Sequence, residues 1–68
     1  MWAIQPSKIA HHIEFFLRED GRFIGYVIQF NKNEPVHAWS EHVRLGQGEG
    51  VGAAKDLVEE IIDTVEAI

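Results

Sequence analysis

Four histidines, two serines, one threonine and a glycine-rich segment are the places where this chain could do chemistry. Metal binding needs several imidazoles or carboxylates converging on one point. His11 and His12 are adjacent, and His37 and His42 are an odd number apart, so on a strand each pair points to opposite faces. His12 and Glu14 share a face, but one imidazole and one carboxylate are too few ligands for a dedicated site. With zero cysteines there is no thiolate ligand, no disulfide and no thiol nucleophile. The hydroxyl candidates are Ser7, Ser40 and Thr64; on a strand Ser40 shares its face with His42 and not with His37. The segment Gly46-Gln47-Gly48-Glu49-Gly50-Val51-Gly52 lacks the lysine and hydroxyl that end a nucleotide loop, and Glu49 repels a phosphate. It reads as a flexible joint into a helix. The expectation is therefore a non-enzyme with no metal and no cofactor.

The charge distribution points elsewhere. Residues 1–48 balance five acids against five bases, while residues 49–68 carry Glu49, Asp56, Glu59, Glu60, Asp63 and Glu66 against Lys55 alone, so the net charge of −5 sits in the last twenty positions. Duplex affinity comes mostly from lysine and arginine neutralising phosphates, so nucleic acid is a disfavoured partner and a basic protein surface a favoured one. Asp63 and Glu66 lie near the negative end of a helix and Lys55 near its positive end, placements that each cost about 0.3–1 kcal/mol. A helix tuned only for its own stability has the opposite order. The five acids Asp56, Glu59, Glu60, Asp63 and Glu66 are accordingly the candidate partner-binding residues.

The elements that position these groups follow from periodicity. Sixty-eight residues, 46% of them hydrophobic and seven aromatic, make one small domain spanning 1–68 with a thin core. Ile13 to Phe30 contains two alternating aromatic and β-branched runs around Glu19-Asp20-Gly21-Arg22, and Asp-Gly is the strongest short hairpin signal. With Asp20 and Gly21 as central turn residues, Leu17 pairs with Ile24, Phe15 with Tyr26, and Ile13 with Ile28 on one nearly apolar face. Arg18 then pairs with Phe23, Phe16 with Gly25, Glu14 with Val27, and His12 with Gln29 on a mixed face. Val36 to Leu45 reads as a third strand with Trp39 and Val43 on one side, although Glu41 shares that side unless a bulge or strand end intervenes. Trp2 and Ile4 can begin an extra edge strand, and Pro6-Ser7-Lys8-Ile9 reads as a turn. From Val51 the apolar positions Ala54, Leu57, Val58, Ile61, Ile62, Val65 and Ile68 form one helical stripe. The fold class expected is α+β, a three-stranded antiparallel sheet covered on one face by a C-terminal amphipathic helix in the order βββα, with the helix lying on the His11-to-Phe30 face.

That arrangement leaves Phe16, Arg18, Phe23 and Val27 on an uncovered sheet face as a self-association or second binding surface. A homodimer formed through these groups is one expectation. Another is a nucleic-acid-binding sheet in which Phe16 and Phe23 stack on bases while Arg18 and Arg22 meet phosphates. The leading expectation is a small acidic protein-binding module, an adaptor, antitoxin-like neutraliser or small inhibitor, that acts by occupancy. No apolar run approaches the ~20 residues of a membrane span, and the N-terminus lacks the basic-then-apolar pattern of a signal peptide, so a cytoplasmic protein with no membrane contact is expected.

Two family resemblances bear on these expectations. The strand–strand–strand–helix order with a glycine-rich helix entry resembles the C-terminal part of a double-stranded-RNA-binding domain, but where that family clusters lysines this chain has Gly52-Ala53-Ala54-Lys55-Asp56, so phosphate binding is not implied. The run Ile13 to Phe30 with Asp20-Gly21 at its tip, and the ending Val65-Glu66-Ala67-Ile68, are similar to HicB-type antitoxins, which are small, acidic and partner-neutralising. The loop after the second strand departs from that family in lacking a proline-glycine-cysteine stretch.

Overall fold

The computed structural model describes residues 1–41 and 43–66, the last five of these by backbone alone. Strands β1 (Trp2–Ile4), β2 (His12–Leu17), β3 (Phe23–Gln29), β4 (Val36–Ser40) and β5 (Arg44–Gly48) are followed by helix α1 (Val51–Glu66). All neighbours pair antiparallel in the order β1-β2-β3-β4-β5. The sheet therefore has five strands where three were expected. The α+β class and the C-terminal helix hold.

The hairpin register is as expected from His12↔Gln29 through Phe16↔Gly25, and then shifts so that Leu17 faces Phe23 and not Ile24. The cause lies in the turn. A two-residue type I′ turn needs positive φ at both central positions, yet only Gly21 has it, at +85°. The chain instead makes a three-residue loop closed by Gly21 N–H to Arg18 C=O at 2.8 Å and Arg18 N–H to Arg22 C=O at 2.9 Å. The loop moves the pairing by one residue, and a bulge at Ile24 moves it back.

The expected third strand is two strands. It ends at Ser40, whose N–H donates to Val43 C=O across the turn at 2.9 Å, so Glu41 never has to share a strand face with Trp39, and Val43 lies in the connection, exposed. The chain then returns as β5, which takes in Gly46 and Gly48 from the segment expected to be only a joint. Glycine is required there by proximity. A Cβ on Gly48 would lie 2.7 Å from both Ala53 Cβ and the Ala54 nitrogen, because the first turn of α1 folds directly onto this strand. Gly46 adopts φ +146° under Leu57.

The helix covers the opposite sheet face from the one expected. Val27, Val36, Ala38, Ala54 and Val58 are fully buried, and Trp2, Phe16, Leu45, Val51 and Leu57 pack around them. The physical reason is height. On the covered face Gly25, Ala38 and Gly46 make a low floor onto which Val58 descends, whereas Phe15, Tyr26 and Trp39 stand up on the other. A Cβ on Gly25 would meet the Trp39 carbonyl at 2.4 Å and Val58 Cγ1 at 3.2 Å. Ile62, Val65 and Ile68 of the expected stripe, like His42, fall outside the residues whose side chains are described.

Candidate functional site

At the seam between helix and sheet, β2 and α1 bring together a polar cluster that neither element shows alone. Glu14 is buried at 6% exposure on the covered face, where its Oε2 accepts from Lys55 Nζ at 2.7 Å and its Oε1 lies 2.6 Å from His12 Nε2. Burial pushes the Glu14 carboxyl up, but the hydrogen bonds and charges of Lys55 and His12 outweigh it and hold its pKa below the usual 4.5. Lys55 Nζ also sits 5.1 Å from the centroid of the Trp2 ring, and Trp2 Nε1 donates to Glu59 Oε1 at 3.1 Å. The cluster ties α1 to β2 through Glu14 and to the edge strand β1 through the contacts of Trp2 with Lys55 and Glu59. His12 and Glu14 share a face as their spacing requires, with Glu14 committed to Lys55 as well as to His12.

Lys55 therefore faces inward. The exposed positions in the described part of α1 are Gly52, Ala53, Asp56, Glu59 and Glu60, none of them basic. The unfavourable placement of Lys55 near the helix start is explained by its partner on β2. Asp63 and Glu66 lie on the helix backbone, and their side chains are outside the described residues.

The other sheet face is bare of any described element. Strand register aligns Ala3, Phe15, Tyr26, Trp39 and Arg44 in one row across all five strands, and Ile13, Ile28, His37 and Gln47 in the next. The rings touch one another: Phe15 meets Tyr26 edge-on at 6.0 Å, and Tyr26 stacks on Trp39 at 6.3 Å with 4° between planes. The polar end of this face lies on β4 and β5, where Arg44 Nη2 donates to His37 Nδ1 at 3.1 Å and to Gln47 Oε1 at 3.0 Å. No strand position on this face is acidic.

The four residues expected to share the uncovered surface are divided: Phe16 and Val27 lie under the helix, while Phe23 and Arg18 meet at one groove at the hairpin end. Phe16 meets Trp2 edge-on at 5.2 Å. Phe23 joins the open face through ring contacts with Phe15 and Tyr26 at 5.8 and 6.2 Å, because the Ile24 bulge reverses its side. Arg18, half-buried, lines that open groove with Phe23, Arg22, Ile24, Ser40, Glu41 and Ile61. Ile13, Phe15, Tyr26 and Ile28, the face expected beneath the helix, instead form the open face together with Trp39. The distribution of small residues carried the missing signal: Gly25 on β3 and Ala38 on β4 mark the side a helix can approach.

No protein-family model, curated protein or solved structure matches this chain. No helix among the described residues is long and apolar enough to cross a membrane.

Proposed function

We propose that this protein is a non-catalytic binding module that acts by occupancy, meeting a protein with a basic surface through the outward side of α1. The observation that supports this reading most directly is the inward turn of Lys55 onto Glu14, which leaves Asp56, Glu59 and Glu60 as the charged groups on the exposed described helix positions. Charge concentrated on one side of a chain with net charge −5 steers a basic partner and sets its orientation. An adaptor, a neutraliser of a basic protein and a small inhibitor all work in this way, and none requires a deep cleft. Affinity capture with the wild-type chain and with an Asp56→Lys/Glu60→Lys variant, followed by rebinding of the captured protein in purified form, tests the reading. The expected result is a partner of high isoelectric point that is lost with the variant and at 500 mM salt, while the variant's circular dichroism stays native. Equal capture by both forms would refute it.

A further inference from the structure

We propose that the open face of the sheet is a dimer interface, and that its occupant is a second copy of this chain. This inference concerns the face opposite the acidic helix and stands independently of the reading above.

Four observations carry it. First, the aligned rows give a continuous apolar centre, Phe15, Tyr26, Ile28 and Trp39 flanked by Ala3 and Ile13, on a small chain whose helix is already spent on the other side. A sheet with two apolar faces needs a layer on each. Second, the area suffices. Five strands spaced about 4.8 Å apart, each about five residues long at about 3.4 Å per residue, present a footprint of roughly 400 Å², so two copies bury on the order of 1,000 Å² once side-chain relief is counted. That is the lower edge of specific interfaces, the size range of dissociable contacts.

Third, the charges permit it. The chain carries 11 acids, yet none occupies a strand position on this face. Stacked sheets lie about 10 Å apart and a helix is about 10 Å thick, so face-to-face packing sets the two helix axes roughly 30 Å apart, about three Debye lengths at 0.1 M salt. Fourth, the position of Arg44 fixes the symmetry. A two-fold axis running across the strands would place Arg44 against Arg44. An axis parallel to the strands and passing through β3 instead opposes Tyr26 to Tyr26, brings Trp39 over Phe15, and carries Arg44 to the far edge above β1.

Sedimentation velocity and light scattering on the full chain from 1 to 300 µM at 0.1 M salt test the proposal, with Tyr26→Glu and Ile28→Lys as separate variants whose thermal melts establish folding. The expected result is a species of twice the 7.7 kDa chain mass, and at least a tenfold weakening of association in either folded variant. A wild-type chain that stays monomeric throughout, or a dimer that both folded variants preserve, overturns it. A labelled single-stranded oligonucleotide is titrated into the same samples. Binding to a monomer that Tyr26→Glu abolishes would give the face to nucleic acid, and would overturn the proposal too.

Discussion

Glu14 is the residue on which most of the seam depends. Removing the charge from one partner of a buried ionic contact leaves the other imperfectly satisfied, so Glu14→Gln should cost about 1–2 kcal/mol at neutral pH by urea unfolding. Because its folded pKa is depressed, its contribution is complete above the unfolded value of 4.5 and disappears as the pH falls through the lower folded value. The stability gap between wild type and Glu14→Gln should accordingly close on acidification below that point; a gap constant from pH 7 to pH 3 would show that the carboxylate charge is not what matters. Gly25→Ala tests a steric claim at the same scale. With its Cβ 2.4 Å from a backbone carbonyl, the substitution should cost about 2–3 kcal/mol. The pairing of His12 with Glu14 was legible in the sequence because it is local. The pairing of Glu14 with Lys55 was not, since a glutamate on a strand reads as a solvent-facing residue until the helix that covers it is placed.

Among the elements, those defined by local pattern were legible and those defined by proximity were not. The three-four spacing from Val51 to Ile61 marks α1, and the alternation around Asp20-Gly21 sets five hairpin pairs correctly. The sixth pair was missed because a dipeptide does not distinguish a two-residue turn from a three-residue loop with a compensating bulge. Strand β5 was missed because glycines at Gly46 and Gly48 read as breakers when nothing shows that α1 lies against them. Where no such contact exists, glycine is only a cost: Gly52 lies exposed in the first turn of α1 with open space around its would-be Cβ. Gly52→Ala should therefore stabilise the protein by about 0.5–1 kcal/mol in thermal or urea unfolding, whereas Gly48→Ala should destabilise it.

At the scale of the whole molecule, the sheet separates two kinds of surface, one apolar and free of acids, the other acidic. They should answer salt in opposite ways. Raising it from 50 to 500 mM should weaken capture of a basic partner at least tenfold while leaving the self-association constant within about threefold, a contrast readable by light scattering and pull-down on one preparation. Parallel loss of both would mean that a single electrostatic surface serves both contacts. This polarity was half legible: the acidic tail is plain in the chain, but which side of the hairpin stayed bare depended on ring height and glycine floor, which alternation alone does not rank. The chain's two tryptophans fall one on each side of that divide, Trp2 wedged between Lys55 and Phe16 and Trp39 flat against Tyr26. The molecule thus carries two intrinsic optical probes: with Trp39→Phe the remaining emission reports detachment of α1, and with Trp2→Phe it reports what settles on the open face.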